Sequence, residues 1–223
     1  NIEPIAYFHS PFHSKFGIPK QSGLVEELEG SIVFCPEYRN ADALRGLDDF
    51  DYLWLIWGFS ANKHAATSLV VRPPLLGGNE KMGVFATRSP FRPNALGLSS
   101  VRISRIETDT TRGPVITVVG ADLMDGTPIY DIKPYIPYAD SHPEAKGGFT
   151  DTHAICRLTV VIPDCFHHLF SQSQLQALYK VLELDPRPHY HKNGQKEYGM
   201  PYMDYDVHFT VNDGVLTVTD VIK

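Results

Sequence analysis

The stretch Gly97-Leu98-Ser99-Ser100-Val101-Arg102-Ile103-Ser104-Arg105-Ile106, the turn Thr111-Arg112-Gly113-Pro114 and the run Val115-Ile116-Thr117-Val118-Val119-Gly120 read together as a β-hairpin. Leu98, Val101, Ile103 and Ile106 give an imperfect period of two, with Arg102 and Arg105 turned outward. The second run is β-branched until its closing glycine, which suits a pleated, half-buried surface. Upstream, residues 2–8 are apolar and residues 30–36 form a short apolar run between turn residues. Residues 42–47 read as one or two helical turns stopped at Gly46. The aromatic run Tyr52-Leu53-Trp54-Leu55-Ile56-Trp57-Gly58-Phe59 predicts a strand covered on both faces, and residues 83–87 predict a further core strand. Strands spaced about ten residues apart with few helical patterns predict a mainly β protein, an antiparallel β-barrel or sandwich.

Residues 138–150 carry no apolar period and read as a linker, so a barrel domain is expected over residues 1–145. The remainder, residues 146–223, predicts a small α+β C-terminal domain. Within it Leu175, Leu178, Tyr179 and Leu182 mark one face of a helix begun at Ser171 and ended by Asp185-Pro186. Residues 206–211 and 215–219 flank Asn212-Asp213-Gly214, a strong hairpin signal.

Hydrophobic residues make up 43% of the 223 and charged residues 21%, so a sizeable core is available. The longest apolar run falls far short of the ~20 residues of a membrane helix. Residues 1–4 show no signal-peptide pattern, and the cytoplasm is the expected compartment. Cys35, Cys156 and Cys165 follow neither a zinc nor a disulfide spacing, and the pairs His167-His168 and His189-Tyr190-His191 lack a third ligand, so no metal is expected. Glycine-rich phosphate-binding and nucleophile-elbow motifs are also missing.

Net charge is −6, which argues against general phosphate neutralisation. Yet residues 63–105 hold Lys63, Arg72, Lys81, Arg88, Arg92, Arg102 and Arg105 against the single acid Glu80. Within that segment, Thr87-Arg88-Ser89-Pro90-Phe91-Arg92-Pro93-Asn94 sets two Arg in a loop that Pro90 and Pro93 stiffen. It suits either a carboxylate or phosphate ligand or a structural turn whose Arg residues pair with Asp122, Asp125 or Asp131. In Asp122-Leu123-Met124-Asp125-Gly126-Thr127-Pro128, the last four residues predict a tight turn, and the carboxylates suit ribose hydroxyls or an ammonium group. Nearby Lys133 adds a cation, and Tyr135 an aromatic face for a base.

These two motifs, with Gly97-Leu98-Ser99 and Asp131-Ile132-Lys133-Pro134-Tyr135, resemble the TrmO-like family, also called YaeB-like or TsaA-like. Pro19-Lys20-Gln21, Leu53-Trp54 and Asp185-Pro186-Arg187-Pro188 with Tyr190 extend the resemblance over nearly the whole chain. It implies a β-barrel, homodimeric methyltransferase that uses S-adenosyl-L-methionine to methylate N6 of threonylcarbamoyladenosine just 3′ of the tRNA anticodon. By motif match, the cofactor would meet Pro19, Lys20, Gln21, Phe59, Ser60, Arg88, Leu98, Asp122, Leu123, Met124, Asp125, Gly126 and Thr127. Arg92, Asn94, Lys133, Tyr135 and Arg187 would meet RNA, and Asp125 or Asp131 would assist loss of the N6 proton. Lys20 departs from the Pro-Arg-Gln of many relatives, which removes a bidentate fork there. Two other readings remain open from the residues alone: a non-catalytic RNA-binding barrel and a small-molecule methyltransferase.

Overall fold

The computed structural model describes residues 2–62, 68–153, 155–187 and 196–223. In chain order these form β1 (Ala6–His9), β2 (Glu29–Phe34), β3 (Tyr52–Gly58), β4 (Val70–Val71), β5 (Met82–Gly83), β6 (Leu96–Glu107), β7 (Val115–Val119) and β8 (Thr127–Pro134). There follow α1 (Pro137–Asp140), β9 (Thr159–Val161), α2 (Gln172–Glu183), β10 (Tyr198–Tyr202), β11 (Tyr205–Asn212) and β12 (Val215–Ile222). Lys63 and the motif positions Pro188, His189, Tyr190 and His191 lie outside the described residues.

β1, β2, β7, β6, β3 and β8 pair antiparallel in that order, and β8 returns to β1 to close a six-stranded barrel. Closure is possible because alternate residues face one core: Phe8, Ile32, Leu53, Leu55, Trp57, Val101, Ile116, Val118 and Ile129 are all buried there. The predicted hairpin is β6 and β7. Its period was imperfect for a reason. Arg102 opposes Val119 and Arg105 opposes Thr117, and a bulge between Ile103 and Arg105 shifts the register. Before the bulge Ser99 and Val101 point inward, so Leu98 stands on the outer wall, 56% exposed, contrary to the expected phase.

Two other expectations are corrected. β3 is not covered on both faces: Leu53, Leu55 and Trp57 fill the barrel while Tyr52, Trp54 and Ile56 form its outer wall. Trp54 keeps its cover locally, from the Tyr135 ring at 5.7 Å and from Asp140, which accepts its indole N–H at 3.0 Å. Residues 83–87 are no core strand. Val84–Ala86 is a 3₁₀ turn that buries Val84 and leaves Phe85 exposed. The stretch read as linker contains α1 and a second 3₁₀ turn at Gly148–Asp151.

β10, β11, β12 and β9 make a separate four-stranded sheet with β9 parallel to β12. The hairpin between β11 and β12 turns on Asp213 and Gly214, both at positive φ, as a tight hairpin requires. α2 begins with a capping box: Ser171 Oγ accepts the Gln174 amide, and Gln174 Oε1 accepts the Ser171 amide. Ala177, Leu178, Val181 and Leu182 of α2 pack with the inner face of this sheet. The same cluster takes in Phe12, Val25 and Leu28, which precede the barrel's second strand.

Candidate functional site

At one end of the barrel β3 gives way to Phe59, whose amide donates to the Ala95 carbonyl at 2.9 Å. The Phe59 ring meets the Trp57 ring edge-on at 4.4 Å. Trp57 fits because Gly97 stands opposite it; a Cβ there would fall on the indole. The Trp57 indole N–H donates to Ser99 Oγ at 3.0 Å, and Ser99 Oγ donates to Asp122 Oδ1 at 2.6 Å. Ser99 is 1% exposed, a polar residue at an inward strand position. Burial raises the Asp122 carboxyl above its ordinary value, opposed by the Ser99 bond, its own amide, the Arg88 charge and the Ser22 amide.

Arg88 reaches the same place from the loop after the 3₁₀ turn, and its Nη1 donates to Gln21 Oε1 at 2.6 Å. That loop is stiff for more reasons than its prolines. Thr87 Oγ1 donates to the Val84 carbonyl at 2.9 Å, and Arg92 Nη1 donates to the Thr87 carbonyl at 2.9 Å and the Ser89 carbonyl at 3.4 Å. Pro19 is buried beside Gln21. Burial lowers the Lys20 ammonium from its ordinary value, against the pull of Asp185. Three segments far apart in sequence, around residues 19–22, 57–59 and 88–99, thus converge on Asp122.

The loop from β7 to β8 supplies the fourth side. Leu123 is buried in the barrel core. The Thr127 amide donates to the Met124 carbonyl at 3.2 Å across a turn in which Gly126 has φ of 73°. The Asp125 amide donates to the Phe12 carbonyl and the Gly126 amide to the Phe8 carbonyl, both at 2.8 Å, tying the turn to the N-terminal segment. The Asp125 carboxylate accepts the Ser10 amide at 3.1 Å, and His9 Nδ1 and His13 Nδ1 lie 3.3 and 3.4 Å from its two oxygens.

The remaining predicted residues are placed differently. Ser60 follows Phe59 and is exposed. Leu98, Ile56 and Asp131 form a row across the outer wall, and Asp131 pairs with Lys133 at 3.0 Å. The RNA candidates are held in different ways, with Lys133 and Tyr135 both beside Trp54. Arg92 is bound to its own loop, Asn94 is exposed, Lys133 is paired, Tyr135 packs on Trp54, and Arg187 is held by Asp185 through two bonds of 2.8 Å.

His9, His13, Ser99 and Trp57 belong to the site's surroundings and are absent from the site residues the sequence named. Ser99 carried a signal, a small hydroxyl where an inward strand position calls for an apolar side chain. The histidines carried none, because Asp125 meets them across more than a hundred residues, as the Ser10 contact at a separation of 115 shows.

Comparison with known proteins covers both parts of the chain. Residues 7–141 match the tRNA-methyltransferase O N-terminal domain, and residues 163–223 match the TrmO C-terminal domain. The tRNA (adenine(37)-N6)-methyltransferase of Escherichia coli is 37% identical over 95% of this chain and 93% of that protein. A Pseudomonas aeruginosa protein carrying the name S-adenosylmethionine-dependent methyltransferase RcsF is 36% identical over 94% of this chain and 91% of its own length. The crystal structure of TrmO from Pseudomonas aeruginosa superposes with a TM-score of 0.79 at 29% identity, covering 100% of this chain and 98% of that one. With both family domains present in order and the barrel shared, the chain belongs to the tRNA-methyltransferase O family.

Proposed function

We propose that this protein is an S-adenosyl-L-methionine-dependent tRNA methyltransferase that methylates N6 of threonylcarbamoyladenosine at position 37, acting as a cytoplasmic homodimer. The observation that carries the reading is the polar group at the barrel end, where Trp57 and Ser99 bond in line to Asp122, and where Arg88, bonded to Gln21, acts on Asp122 through its charge. Its donor set fits the cofactor's parts: a carboxylate for cationic groups, a guanidinium fork for the amino-acid carboxylate, and the Phe59 ring for an apolar or aromatic face. Bound there, the cofactor supplies an electrophilic methyl group on a sulfonium. The chain's contribution is placement, holding the acceptor nitrogen in line behind the methyl carbon, a geometric effect worth several kcal/mol of barrier. Ser99 and Trp57 fix the Asp122 rotamer, and the bonds within residues 87–95 fix Arg88 at low entropic cost. Residues 1–145 form the cofactor-binding unit in this reading and residues 146–223 the appendage.

The acceptor nitrogen loses a proton during transfer, and we assign its acceptance to Asp125, which lies on the β7–β8 turn at the candidate site, held there by the Ser10 amide, whereas Asp131 stands on the barrel's outer wall beside Lys133. In single-turnover kinetics with threonylcarbamoylated tRNA, Asp131→Asn is expected to keep the wild-type rate and Asp125→Asn to lose about 100-fold, the range of general base catalysis. The reading as a whole is tested by calorimetric titration with S-adenosyl-L-methionine. Wild type is expected to bind, and a folded Arg88→Ala variant to lose about tenfold or more in affinity, the loss of one charge-assisted bond. Cofactor binding without turnover of tRNA would point to a small-molecule acceptor; tRNA binding with no cofactor binding would point to a non-catalytic barrel.

A further inference from the structure

The loop carrying Pro19-Lys20-Gln21 has no regular secondary structure, so its shape must come from what packs against it. On one side it is pinned to the barrel: Gln21 accepts from Arg88, and the Gly23 amide donates to the Gly120 carbonyl at 2.8 Å. Its other side is held by the C-terminal sheet. Gly17 adopts φ of 90°, and a Cβ there would fall on the sulfur of the fully buried Met200 in β10. Phe12 meets Tyr202 edge-on at 5.6 Å, Phe16 stacks on Phe209 at 6.5 Å, and the Met203 amide donates to the Pro11 carbonyl at 2.8 Å. After the loop, Val25 and Leu28 re-enter the same C-terminal core. Lys20 itself lies within electrostatic reach of Asp185 at the end of α2.

We propose that the inner face of the C-terminal sheet, through Met200, holds the loop of residues 17–23 in its cofactor-binding shape, making Met200 a positioning residue for S-adenosyl-L-methionine. This rests on the assignment of Pro19, Lys20 and Gln21 to the cofactor site. The appendage then completes the barrel's binding site as well as standing beside it. A cavity at Met200 frees Gly17 and loosens the loop while leaving the barrel strands paired.

The test compares Met200→Ala, Met200→Leu and Ile162→Ala in steady-state kinetics on tRNA, with melting curves for each. Ile162 follows β9, at the opposite edge of the sheet from β10, and is also buried. Met200→Ala is expected to raise the KM for S-adenosyl-L-methionine about fivefold or more with kcat retained, in the range of coupling between sites. Met200→Leu restores the wild-type KM, and Ile162→Ala lowers the melting temperature with KM unchanged. A Met200→Ala enzyme with wild-type KM, or an equal KM rise in Ile162→Ala, overturns the proposal. Hydrogen exchange on the wild-type protein decides the matter even where a variant does not fold. The cofactor is expected to slow exchange in residues 17–23 and 198–202 together, and protection of 17–23 alone contradicts the coupling. Arg88→Ala separates the two levels, since undiminished cofactor affinity there removes the site assignment itself.

Discussion

Asp122 is an acid set against the inside of the barrel end, where burial favours its neutral form over the ordinary value of 3.8 despite the Ser99 hydrogen bond. An acid whose folded value is raised binds its proton more tightly folded than unfolded. Stability therefore falls as pH climbs from 3.8 through the folded value, and stays lower above it. Asp122→Asn keeps an oxygen to accept from Ser99 and removes that penalty. The variant is expected to melt higher than wild type at pH 7, with the gain shrinking toward pH 4, while its affinity for S-adenosyl-L-methionine falls about tenfold or more, or ~1.4 kcal/mol. Thermal melts across pH and one titration check both halves. Higher stability with lost binding is the pattern of a residue kept for a ligand.

The elements differ in how openly they were written. The start of α2 at Ser171 was legible because its cap is local, its partner Gln174 standing three residues on, and Ser171→Ala is expected to cost about 1 kcal/mol in urea unfolding. The β11–β12 hairpin was equally local, fixed by Asp213 and Gly214. β6 was legible as a strand, but its inward phase was hidden by the bulge at Ile103 and Arg105, which carries Ile106 back to the core after an odd step. The aromatic run of β3 looked buried on both faces because Trp54, an outer-wall residue, is covered by the single Tyr135 ring and by Asp140. In the site, the motif residues 88 and 122–127 could be named in advance. Their connection through Ser99 and Trp57 could not, because closing a barrel brings together residues whose spacing carries no periodic trace.

At the scale of the molecule, the barrel exposes an apolar residue on its outer wall: Leu98, 56% open beside Ile56. In the proposed homodimer a second copy would cover that wall, and Leu98→Asp is then expected to sediment near the 25.0 kDa of one chain where wild type sediments near twice that. The joining of the N-terminal segment to the last strands has a consequence for how the protein is made. Phe12 and Val25 are translated well before Met200, Tyr202 and Phe209, their core neighbours. At about 5–20 residues per second the wait is on the order of 10 to 40 s. For that interval the nascent chain carries uncovered apolar side chains beside an unfinished barrel end. A ribosome that stalls before residue 198 therefore holds a chain that is adhesive and, under the proposed role of Met200, weakened in cofactor binding.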